Sequence, residues 1–114
     1  MTRGRQALGA HGEARAAAWY AEHGYEVLDR NWRCRDGEID LVLRHGRTAV
    51  FCEVKTRRSD AYGVPAEAVT PAKQLRLRRL AARWLHASTW RPAEVRFDVA
   101  AVLAGRLEVI EAAF

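Results

Sequence analysis

The period at which apolar residues recur changes several times along the chain, and each change marks an element. Residues 8–23 are rich in alanine, carry Trp19 and Tyr20 late in the run, and stop at Gly24. That pattern predicts a helix closed by a glycine able to take a left-handed backbone. Residues 25–32 read as a strand, and Cys34-Arg35-Asp36-Gly37 as a turn. Beyond the turn the period is two. Ile39, Leu41 and Leu43 alternate with Asp40 and Val42; after His45-Gly46, Thr48, Val50, Cys52 and Val54 alternate with Ala49, Phe51, Glu53 and Lys55. Two such runs around a glycine predict a β-hairpin. Residues 57–69, with Gly63 and Pro65, read as a loop. Thr70-Pro71 opens a second helix, threonine as N-cap and proline at the first helical position. In it Leu77, Leu80, Ala81, Trp84 and Leu85 form a buried stripe, while Arg76, Arg79 and Arg83 share another face. Residues 95–103 and 106–110 are two last strands joined at Ala104-Gly105. The predicted order is αβββαββ, and only residues 1–5 are expected to be a flexible arm.

Length narrows this to one domain, because 114 residues leave no room for a second core. No apolar run approaches the ~20 residues of a membrane span, and the polar, arginine-bearing start lacks the apolar stretch of a secretory signal. The expectation is a cytoplasmic protein with no membrane partner. Cys34 and Cys52 are expected as reduced thiols, and no cysteine or histidine spacing suits zinc. Charge then adds a partner. The net charge is +5, carried by 17 arginines and only 2 lysines. Arginine forks suit phosphate, so the expected partner is nucleic acid.

Candidate chemistry lies on the hairpin. With His45-Gly46 as a two-residue loop, Arg44 pairs with Arg47 and Asp40 stands opposite Phe51. Asp40 then shares a face with Glu53 and Lys55, with Glu53 diagonal to it at about 7–8 Å between backbones. A four-residue loop keeps that face, and a three-residue loop would reverse it. Two carboxylates and an ammonium on one face suit Mg²⁺ or Mn²⁺, hard cations that take one or two protein carboxylates and leave room for water and phosphate. Such an ion polarises a phosphoryl oxygen and acidifies a water, and Lys55 would orient that water or offset developing charge. The competing reading is a solvated Glu53–Lys55 ion pair worth ~0–1 kcal/mol.

The runs Asp-Gly-Glu-Ile-Asp-Leu-Val (residues 36–42) and Phe-Cys-Glu-Val-Lys-Thr-Arg (residues 51–57) resemble the split Asp…Glu-x-Lys signature of the PD-(D/E)XK nuclease superfamily. More closely, the chain resembles the YraN family of small bacterial proteins, whose fold is similar to that of the archaeal Holliday junction resolvases. Gly12-Glu13, Asn31-Trp32-Arg33, Tyr62-Gly63, Lys73 and Arg96-Phe97-Asp98 extend the match over nearly the whole chain. The resemblance implies an α/β fold with a restriction-endonuclease-like core, a mixed central β-sheet flanked by helices. It also implies that Asp40, Glu53 and Lys55 are catalytic, with Asp40 and Glu53 holding the metal, that Glu13 is an assisting acid, and that a homodimer acts on branched or structured DNA. Glu13 is otherwise an ordinary acid near a helix start.

Around this centre Arg57, Arg58, Lys73, Gln74, Arg76, Arg79 and Arg83 are candidate phosphate contacts; each is equally readable as solvated surface. Trp32 and Trp90, beside Arg33 and Arg91, are candidates for stacking on an unpaired base. The leading expectation is a metal-dependent DNA endonuclease; the alternatives are a nucleic-acid-binding module that does not cut and an assembly component.

Overall fold

A computed structural model describes residues 3–57 and 69–114, with side chains from residue 10 onward. The elements follow in the predicted order: α1 (Arg3–Glu22), β1 (Glu26–Cys34), β2 (Gly37–His45), β3 (Thr48–Arg57), α2 (Pro71–Ala87), β4 (Glu94–Leu103) and β5 (Arg106–Ile110). The strands form one mixed sheet in the order β1-β2-β3-β4-β5, antiparallel throughout except for the parallel pair β3–β4. A parallel neighbour needs a crossover, and α2 lies in that connection. The result is an α/β fold with a central sheet flanked by two helices.

Local signals set the helix ends. Gly24 has φ 84°, and the Tyr25 amide donates to Tyr20 O at 2.9 Å, closing α1 where expected. The other end of α1 differs: the helix begins at Arg3, not near Leu8, and takes up part of the stretch read as an arm. At α2, Thr70 Oγ1 accepts from the Lys73 amide at 3.3 Å and Pro71 fills the first helical position.

The hairpin between β2 and β3 corrects the sequence reading. His45 pairs with Thr48 and Arg44 with Ala49, so the loop is Gly46-Arg47, not His45-Gly46. Gly46 is the first loop residue and has φ 60°, the place where a type II′ turn requires glycine. The ladder is displaced by two residues, which preserves every face. Continued past Leu41–Cys52, this register sets Asp40 against Glu53 rather than against Phe51.

Both sides of the sheet are covered. Ala16, Ala17 and Tyr20 of α1 pack on Leu41, Leu43, Val50, Cys52 and Ala100, and Leu77, Leu80, Ala81 and Trp84 of α2 on Ile39, Val42, Phe51 and Phe97. Burying each larger apolar side chain contributes ~1.5–3 kcal/mol. Trp32 and Trp90, read as possible base platforms, pack against the α2 side of this core, and the Arg44 guanidinium lies 4.8 Å from the Trp90 ring.

One charge is fully buried. Asp98 on β4 accepts from Tyr20 Oη at 2.6 Å, twice from the Arg96 guanidinium at 2.9 Å, and from the Ala112 amide at 3.0 Å. This satisfied carboxylate ties α1 to the sheet and to the segment after β5. Among the described residues no helix is long and apolar enough to cross a membrane.

Candidate active site

The site forms where β2 and β3 part. Their paired ladder ends at Leu41–Cys52, and the next amide along β3, beyond Glu53, is turned to a side chain: the Val54 N–H donates to Asp40 Oδ2 at 2.8 Å. Strict alternation also breaks here, since Ile39 and Val42, three residues apart, share the α2 side of the core. A ladder that opens around a carboxylate leaves a recess at the sheet, and α2 borders it. The recess is a cavity of about 260 Å³ lined by Glu38, Asp40, Glu53, Lys73 and Arg76, with Leu77 and Leu80 as apolar wall.

Its electrostatics are dominated by acids. Glu13, Glu38 and Asp40 each offer a carboxylate oxygen within 4.8 Å of the others. Burial pushes the Asp40 carboxyl up to about 8, helped by the charges of Glu53, Glu13 and Glu38 and opposed by the Val54 amide. Glu13 is likewise raised, first by burial and then by Glu38 and Glu53, against hydrogen bonds from Asn31 and Asp40. Two lysines answer from the other side. Lys55 Nζ is 3.1 Å from Glu53 Oε1. Lys73 approaches Lys55, and the neighbouring ammonium, then burial, lower its affinity for a proton.

Several expected residues therefore meet at one point: Asp40, Glu53, Lys55 and Glu13, with Lys73 and Arg76 on the α2 wall. Others are occupied elsewhere. The Gln74 amide donates to Val69 O at 3.0 Å and steadies the entry to α2. Arg83 is paired with Asp36 at the β1–β2 turn. Arg57 donates to Thr56 O at 3.0 Å, Arg79 is exposed on α2, and Arg58 lies outside the described residues, as do Tyr62 and Gly63. Two residues at the site had no role in the sequence reading. Glu38, held by Arg33 at 2.6 Å, lies two residues before Asp40, a spacing that shares a strand face and could have flagged it. Asn31 sits on β1 beside the acids; Asn31-Trp32-Arg33 belonged to the family match, with no role given to the asparagine.

The donor set fits a hard divalent cation. Carboxylate oxygens alone converge, and burial together with the neighbouring acids pushes the Asp40 carboxyl up to about 8. Glu13, Glu38 and Asp40 are the carboxylates that converge and could hold the ion; Glu53, expected as a ligand, lies outside that group beside Lys55, and Lys55, Lys73 and Arg76 would receive an anionic substrate.

The model of the uncharacterised protein family UPF0102 matches residues 12–102. The chain is 58% identical over 104 residues to a UPF0102 protein of Beutenbergia cavernae, covering 91% of this chain and 88% of that one. It is 56% identical over 99 residues to one of Rhodococcus opacus, covering 87% and 84%. A UPF0102 protein of Frankia alni is 55% identical over 100 residues, covering 88% and 83%.

Proposed function

The chain belongs to the uncharacterised protein family UPF0102, and from that premise and the site geometry we propose that it is a metal-dependent endonuclease of the PD-(D/E)XK kind, acting on DNA in the bacterial cytoplasm. The observation that carries the reading is the convergence of Asp40 and Glu53 where β2 and β3 separate, with Lys55 3.1 Å from Glu53, beside a cavity whose other wall bears Lys73 and Arg76.

Asp40, with Glu53 and the converging Glu13 and Glu38 beside it, would hold Mg²⁺ or Mn²⁺, which would supply Lewis-acid polarisation of phosphate and a more acidic water. Lys55, compact and adjacent to Glu53, holds a nucleophilic water or offsets charge on the phosphoryl oxygens. Glu13 accepts hydrogen bonds from water at the site. Lys73 and Arg76 seat the phosphates beside the scissile one. A module that only bound DNA would have no chemical use for mutually repelling carboxylates facing a polyanion. A two-fold dimer would bring two such sites to a branched substrate.

The test is cleavage of four-way junction, flap and linear duplex DNA with Mg²⁺ or Mn²⁺ and with EDTA. The expected result is metal-dependent cutting, fastest on a branched form, and lost in Asp40→Asn, Glu53→Gln and Lys55→Met. Salt-sensitive binding without cleavage in any metal overturns the enzymatic reading and leaves a DNA-binding module.

A further inference from the structure

Asn31 has φ 51° and stands inside β1. The other two non-glycine residues with positive φ among those described, Ala104 and Ala112, lie in turns. A left-handed backbone costs a side-chain-bearing residue ~1–2 kcal/mol, asparagine less than most. Strain of that kind inside a strand points to a task the position performs.

Position supplies the task. Asn31 and Asp40 occupy matching places between the pairs Arg30–Leu41 and Trp32–Ile39. Strict alternation breaks at Asn31, since Asp29 and Trp32, three residues apart, both lie on the α2 side, and the Asn31 side chain hydrogen-bonds Glu13 of α1. Glu13 needs such a partner. It projects from α1 into a group of three other carboxylates. Without a donor, repulsion favours rotation of Glu13 away from Asp40.

We infer that Asn31 is a positioning residue, held in a left-handed backbone so that its amide keeps the Glu13 carboxylate against Asp40. The consequence for function rests on the nuclease reading: Asn31 sets cation affinity and turnover without touching DNA.

Asn31→Gly separates backbone from side chain, because glycine accepts positive φ freely and carries no amide. Asn31→Ala removes both. In urea unfolding with EDTA the glycine variant should match the wild type within a small shift and the alanine variant should unfold earlier. Mn²⁺ binding followed by electron paramagnetic resonance should weaken about 10–100-fold in Asn31→Gly, the range for partners that orient metal ligands. Turnover on a branched DNA should fall comparably, with KM for DNA changed less than twofold. A glycine variant with wild-type Mn²⁺ affinity and kcat overturns the inference.

A cation-free cycle keeps this distinct from the nuclease reading. Urea midpoints of Asn31→Gly, Glu13→Gln and the double variant should be non-additive if the two side chains are linked; additive midpoints overturn the inference. A wild type that neither binds Mn²⁺ nor cuts DNA defeats the nuclease reading alone, and the cycle still decides Asn31.

Discussion

Replacing Asp40 with asparagine should stabilise the metal-free protein, and increasingly so as pH rises. Asparagine keeps the shape and an oxygen for the Val54 amide, now bonded at 2.8 Å, while removing the charge that Glu53, Glu13 and Glu38 oppose. In the folded wild type this carboxyl titrates at about 8, against 3.8 when free. The folded state therefore holds a proton that the unfolded chain has released, so the favourable contribution is complete below pH ~4 and is lost progressively as pH rises to ~8. At about 1.4 kcal/mol per pH unit the wild type could lose up to about 4 kcal/mol between pH 5 and pH 8; water entering the cavity reduces this to about 2–4 kcal/mol. Urea unfolding followed by tryptophan fluorescence in EDTA, from pH 5 to 8.5, measures it. The curves of wild type and Asp40→Asn should nearly coincide at pH 5 and diverge with pH in favour of the variant. Millimolar Mg²⁺ should recover the wild type at pH 8 and leave the variant unchanged, since a cation takes the place of the proton. Parallel curves across the range would refute the account of opposed carboxylates on which the metal site rests.

Three further outcomes follow from contacts already described. Arg76 lines the cavity whereas Arg83 is engaged with Asp36, so Arg76→Ala should lower the salt slope of DNA binding by about 1 and Arg83→Ala should not; equal slopes would show that both face away from DNA. Gly12 has no room for a methyl group against Thr56, so Gly12→Ala should destabilise by about 1–3 kcal/mol in urea despite the better helix propensity of alanine, and a stabilised variant would show that α1 is not seated on β3 there. Asp98→Ala leaves Arg96 and the Tyr20 hydroxyl without their acceptor and should cost about 3–5 kcal/mol, read as a lowered urea midpoint.

The elements whose ends depend on local chemistry were legible in the sequence: the glycine that closes α1, the Thr70-Pro71 start of α2, and the Ala104-Gly105 turn. That Asp40 would come beside Glu53 was legible too, although not from parity alone, because strict alternation fails between Ile39 and Val42. Which residues oppose one another was not. A slide of two along β2 leaves the hydrophobic pattern intact, and only the glycine dihedral selects Gly46-Arg47 over His45-Gly46. Partners distant in sequence were also hidden. That Asp36 would occupy Arg83, or Asp29 receive the Trp84 indole N–H at 3.1 Å, depends on how the β1–β2 hairpin lies on α2. The positive φ of Asn31 inside β1 was hidden as well, since the residues around it read as an ordinary strand.

The scarcity of lysine has a practical consequence. Lys55 and Lys73 are the only two lysines beside 17 arginines, and they are neighbours, with Lys73 on the cavity wall. Acylating reagents that spare guanidinium thus find their side-chain targets at one spot, and the neighbouring ammonium makes Lys73 give up its proton more readily than an ordinary lysine. A single fluorophore or photo-crosslinker can be installed there with no engineered cysteine. By the same chemistry, an enzyme that acetylates side-chain amines would mark this protein nowhere but on this pair.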